Sequence, residues 1–152
     1  MITSTSNQQM KQVSALLKKA KERREKQVFV VEGPKMVIEA PAEWLKAVYV
    51  SEFFFFFSEN KAVLHALEDK CKQSQAVYEL VADSVFKSVS DTQTPQGIMA
   101  VVSMPEYQME SLLQGENTHL LILESVQDPG NLGTMVRTGE GAGITGVIMN
   151  KT

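Results

Sequence analysis

Short, nearly unbroken apolar runs alternate along this chain with stretches whose apolar residues recur every three or four positions, and the two periods separate strands from helices. Met10, Val13, Leu17 and Ala20, with Leu16 beside them, form the stripe of a helix packed on a sheet. Val28–Val31, Ala47–Val50, Ala76–Leu80 and Gly97–Val102 are expected as strands. Between them, helices are expected over Lys35–Ala40, where Pro41 stops the run, over Glu59–Gln73, and over Asp83–Ser88. This alternation predicts an α/β domain with helices on both faces of the sheet, three layers in all.

Residues 105–118 contain Pro105 and Gly115 and show no apolar periodicity, so they read as a linker between a domain over 1–104 and a segment over 119–152. His119–Val126 is almost wholly apolar, the pattern of a parallel strand covered on both faces. Asp128, Pro129 and Gly130 then turn the chain. Asn131 is expected to cap a helix that runs through Met135, Val136 and Arg137 to the glycines at 139, 141 and 143, before a strand over Gly146–Met149. Ligands of open α/β sheets collect at the carboxyl ends of such strands, which puts Asn131 and Arg137 near a site. Gly141 to Gly146 also matches G-x-G-x-x-G, the mark of a nicotinamide-dependent oxidoreductase. Here, however, a helix precedes the glycines and a strand follows, the reverse of what a dinucleotide pyrophosphate needs, so they read better as a helix stop and turn.

Composition narrows the class. With 43% hydrophobic residues in 152, the chain can bury a real core. The single cysteine, Cys71, excludes an intramolecular disulfide, and without a signal peptide or long apolar span a cytoplasmic location with no membrane partner is expected. His65 and Cys71 share a probable helix without further ligands, so no metal site is expected, and His119 has neither a base nor a nucleophile beside it.

Charge is unevenly spread. Residues 1–35 hold eight lysines and arginines against three glutamates, net +5, which leaves −8 for the rest of a chain whose total is −3. Lys18 with Glu22, Lys21 with Glu25, and Glu22 with Lys26 are spaced to pair on a helix surface. Lys19, Arg23 and Arg24 are less compensated. With Lys11 they form a candidate phosphate-binding face, whose bland alternative is a solvated helix surface. No aromatic residue interleaves with it.

Phe53 to Phe57 are five consecutive phenylalanines that cannot share one side of a strand or helix. At least two are expected to be exposed or covered by a partner, in a loop or helix entry; stacking on RNA is the lesser reading.

Residues 128–149 resemble the first signature motif of the SpoU (TrmH) family of RNA 2'-O-ribose methyltransferases, D-P-x-N-x-G followed by an arginine and a glycine-rich helix end, with Asn131, Gly133 and Arg137 on the matching positions. Upstream, Arg23 and Arg24, Phe29-Val-Val-Glu-Gly33, and Leu80–Val102 with its run Ser90-Asp-Thr-Gln-Thr-Pro-Gln-Gly-Ile-Met-Ala-Val are similar to the family's N-terminal substrate-binding domain. The resemblance spans almost the whole chain. It implies a three-layer α/β/α RNA-binding domain followed by an incomplete α/β-knot (SPOUT) domain, S-adenosylmethionine as cofactor, RNA as partner (ribosomal by analogy), and a homodimer for the full-length form. It also implies that Arg137 is catalytic and that Asn131 supports it; the bland reading is an ordinary helix-surface arginine.

Two further family motifs, which fold into a knotted end and build the cofactor pocket and dimer interface, are not found before Thr152. The cofactor-binding residues are therefore unassigned, and the expectation is a truncated form that binds RNA but is inactive alone. The alternative is a stand-alone RNA-binding module, whose salt-dependent RNA affinity would be lost on substituting Lys19, Arg23 and Arg24.

Overall fold

The computed structural model describes residues 1–115 and 117–150. It divides into two compact units, Met1–Pro105 and Glu106–Thr152.

In the first unit, β1 (Val28–Glu32), β2 (Leu45–Ser51), β3 (Val77–Val81) and β4 (Ile98–Ser103) form a mixed sheet in the order β1-β4-β2-β3. β4 runs antiparallel to both β1 and β2, whereas β2 and β3 are parallel. The strands are rich in valine and other residues that fill a pleated surface, and their side chains alternate between two cores. Tyr49, Val81, Met99 and Val101 face Met10, Val13 and Leu16 of α1 (Gln8–Lys18) and Val85, Phe86 and Val89 of α6 (Asp83–Val89). Val31, Val48, Ile98 and Ala100 face Val37 of α3 (Pro34–Glu39), Phe54 of α4 (Glu52–Phe56), and Leu64, Leu67 and Cys71 of α5 (Lys61–Ser74). Three α/β/α layers result, as the alternating pattern predicts.

One local expectation changes, and one contact is new. The stripe drawn through Ala20 ends earlier: α1 stops at Lys18, Lys19 is extended at φ −124°, and α2 (Ala20–Lys26) starts afresh with Ala20 exposed. Ile2, close to the amino terminus, pairs with Val81 at the outer edge of the sheet, donating to the Leu80 carbonyl at 2.7 Å and accepting from Ala82 at 2.9 Å. It thereby covers the unpaired side of β3.

In the second unit, β5 (Leu120–Leu123) pairs parallel with β6 (Gly146–Met149), Leu120 opposite Gly146, and α8 (Pro129–Gly141) connects them. The strand–helix–strand order matches the sequence pattern, and the glycine-rich stretch ends the helix, with Gly143 at φ +79°. The expectation of a strand covered on both faces does not hold. β5 has four residues, of which Leu123 is buried and Ile122 is 72% exposed, because a two-stranded unit offers a helix to one side only. Within 105–118, read as a linker, Met109–Leu113 forms the short helix α7, and its Leu112 side chain lies 3.0 Å from where a Cβ on Gly146 would stand.

Candidate functional site

The helix α8 begins where the chain leaves β5. Asp128, not Asn131, is its N-cap: the Asp128 carboxylate accepts from the Asn131 backbone N–H at 2.6 Å, and Pro129 fills the first helical position. Proline has no N–H to satisfy there, and its fixed φ suits the first turn, so the helix opens three residues earlier than an Asn131 cap would have it. Asn131 thus lies inside the first turn, exposed, with its carboxamide not used for capping.

Arg137 is exposed on the same helix. Its guanidinium folds back one turn, so that Nη2 lies 4.0 Å from where a Cβ on Gly133 would stand. Glycine keeps that side of the helix clear. Asn131 and Arg137 are six positions apart, which is roughly 9 Å of rise and about 120° around the axis. The arginine's lean toward the N-terminus shortens the axial gap; the angular one remains.

The carboxyl ends of β5 and β6 are tied together. Ser125, in the left-handed region at φ +55°, donates its N–H to Asn150 Oδ1 at 2.9 Å. No local sequence signal marks this contact.

In the first unit the candidate cations separate. Arg23 Nη1 donates to the carbonyl oxygens of Leu16 at 2.7 Å and Leu17 at 3.1 Å, which are free because α1 has ended. It is therefore not the uncompensated charge that spacing implied. Lys21–Glu25 and Lys26–Glu22 pair at 3.6 and 3.2 Å. The expected Lys18–Glu22 pair is not among the ion pairs of the described residues, since the chain breaks between α1 and α2 at Lys19. Lys11, Lys19 and Arg24 are exposed and have no carboxylate within bridging distance among the described residues.

Sequence reasoning missed Glu32. Its carboxylate accepts from Ser90 Oγ at 2.7 Å, Thr92 Oγ1 at 2.8 Å and the Gln96 backbone at 3.3 Å. β1 and β2 both run against β4, so Glu32, Ser51 and the 90–97 loop meet at one end of the strands. Gly33, at φ +102°, leaves the space occupied by the Gln96 side chain. Among the described residues, no helix is long and apolar enough to cross a membrane.

Comparison with known proteins adds the family. Residues 7–100 match the MRM3-like substrate-binding domain. The 23S rRNA (guanosine(2553)-2'-O)-methyltransferase RlmP of Bacillus subtilis is 34% identical over 148 residues, 97% of this chain and 53% of the relative. The human mitochondrial rRNA methyltransferase 3 is 35% identical over 133 residues, 84% of this chain and 30% of the relative. The chain thus spans about half or less of the length of these curated relatives. The crystal structure of an AdoMet-bound rRNA methyltransferase from Sinorhizobium meliloti superposes with a TM-score of 0.82 at 26% identity, covering 99% of this chain and 54% of that one. A matched domain model over most of the first unit, and relatives whose similarity continues through β5, α8 and β6, make this chain a member of the SpoU (TrmH) family of RNA methyltransferases.

Proposed function

We propose that this protein takes part in the transfer of a methyl group from S-adenosylmethionine to a ribose 2'-hydroxyl of RNA, with ribosomal RNA as the substrate class. The observation that carries the reading is a helix opening just after a parallel strand, with a carboxamide in its first turn and a guanidinium folded over Gly133. Family membership supports it.

S-adenosylmethionine supplies a methyl group already activated on a sulfonium. A guanidinium repels a neighbouring sulfonium, so of Arg137 and Asn131 the arginine does not hold that part of the cofactor. Both fit the RNA. A guanidinium pairs with phosphate through two parallel N–H···O bonds and favours negative charge on a nearby oxygen. As a base it is poor, with a pKa of about 12.5 or higher. Arg137 therefore orients the nucleotide and eases the loss of the hydroxyl proton, and Asn131, both donor and acceptor but about 120° away round the helix, supports it through an adjoining part of the same RNA.

The first unit supplies affinity in this reading. Lys11, Lys19 and Arg24 contact phosphates, and Arg23 shapes the surface that presents them. Residues 1–104 bind RNA, 105–118 connect, and 119–152 contribute to the catalytic domain. The active form is a homodimer acting in the cytoplasm.

Mapping of ribose methylation in ribosomal RNA, by resistance to alkaline cleavage, tests this in cells lacking the gene. Loss of signal at one nucleotide is expected, restored by the wild-type gene and not by Arg137→Ala. An unchanged methylation map would overturn the reading.

A further inference from the structure

The phenylalanine run is not absorbed by the methylation chemistry. In α4 and the residue that follows it, Phe54 is buried under the sheet, while Phe53, Phe56 and Phe57 are 70, 73 and 44% exposed. The three exposed rings are spaced by three and four positions, so they share the outer side of the turn. Phe53 stacks on Phe57 with centroids 5.8 Å apart, and Phe56 meets Phe55 edge-on at 5.2 Å. Two adjoining clefts contain cations, Lys61 in one and Lys87 in the other. Among the described residues, the outer cleft between Glu52, Phe53, Phe56, Phe57 and Asp83 is lined by carboxylates and rings alone. Neither Glu52 nor Asp83 is in an ion pair among the described residues. Asp83 is held in place because it accepts from the Phe53 backbone N–H at 2.9 Å.

Aromatic faces carry negative electrostatic potential and attract ammonium and guanidinium groups, most strongly where carboxylates stand beside them. The same carboxylates repel phosphate, which disfavours single-stranded RNA as the occupant although bases stack readily on phenylalanine. Outside residues 1–35 the chain carries a net −8, so the surroundings add to the attraction rather than oppose it. We infer that the cleft formed by Glu52, Phe53, Phe56, Phe57 and Asp83 is a docking site for an arginine- or lysine-bearing protein segment. The site is separate from the cations of α1 and α2, so one unit offers a basic surface to phosphate and an acidic aromatic one to a basic protein.

The probe is a fluorescent peptide of alternating arginine and glycine, titrated into the 152-residue chain and followed by anisotropy. Phe53→Ala/Phe56→Ala is expected to weaken binding about tenfold, and Glu52→Gln several-fold, while Glu43→Gln, an acid on another segment, leaves it within about twofold. Circular dichroism checks that the doubly substituted chain is folded; should it not be, Phe56→Ser alone provides the same comparison. Equal peptide affinity for the wild-type and substituted chains would overturn the inference. So would tighter binding of oligouridylate than of the peptide, with the RNA affinity lost in the same variants, or sedimentation showing that these rings mediate self-association.

Discussion

Arg23 Nη1 donates to the Leu16 carbonyl oxygen at 2.7 Å, joining the side chain of one helix to the open end of the helix before it. A second bond to Leu17 at 3.1 Å makes the guanidinium a clasp across the break at Lys19. Two neighbouring arginines therefore differ in kind. Arg23→Ala should cost about 1–2 kcal/mol in urea denaturation, because it removes a charged donor from two carbonyls that have lost their helical partners. Arg24→Ala should leave stability within about 0.5 kcal/mol and lower RNA affinity, with the salt slope reduced by about one. Equal stability loss in both variants would contradict the assignment.

Gly97 precedes β4 at φ +79°, and a Cβ there would stand 2.7 Å from Ser51 Oγ and 2.8 Å from Phe54 Cβ. Ser51 is itself the cap of α4, accepting from Phe54 N–H at 3.2 Å. Gly97→Ala combines a left-handed backbone with a clash against buried atoms, and should destabilise the first unit by at least about 2 kcal/mol. Denaturation followed by the single tryptophan, Trp44, reads this directly.

Asp128→Ala should destabilise α8 by about 1 kcal/mol, the usual worth of an N-cap. Hydrogen exchange provides the local readout: the Asn131 amide should lose protection, whereas amides of the first unit should be unchanged. Asn131→Ala should leave that protection intact, since its side chain plays no part in the cap.

Tyr78 gives a pH dependence. Its hydroxyl is buried without a hydrogen-bond partner among the described residues, and burial, followed by Glu68 and Cys71, pushes the phenol up from 10.0 to about 12. A folded-state pKa above the unfolded one contributes stability that is complete below pH 10 and is lost as pH rises toward 12. Tyr78→Phe should be neutral or stabilising by up to about 1 kcal/mol at pH 7, because no hydroxyl then lacks a partner. It should also lose less stability between pH 10 and 12. Parallel stability curves for the two chains would refute this.

What could be read from the sequence was local and periodic. The unbroken apolar runs Val28–Val31 and Gly97–Val102 identify strands, and the pattern around Asn131 and Arg137 locates a strand-to-helix turn. Contacts between distant segments leave no such mark. Ile2 covering β3 and Asn150 holding Ser125 join residues whose own neighbourhoods are unremarkable in sequence, and the motifs around Glu32 and Ser90, though visible, do not show that they bond to each other. The errors have the same origin. A regular 3.6-residue stripe carried α1 through Lys19, although the tertiary bond from Arg23 lets the chain break there, and Asn131 was given a capping role that proline at the first helical position transfers to Asp128.

The donors to Glu32 lie 58, 60 and 64 residues further along the chain. Closing a loop of that length has an entropic cost that the pairing of β1 with β4 helps to offset, so the shape of the 90–97 segment depends on those two strands being in register. A substitution in β1 or β4 far from Glu32 would then loosen this loop together with the strands that carry it.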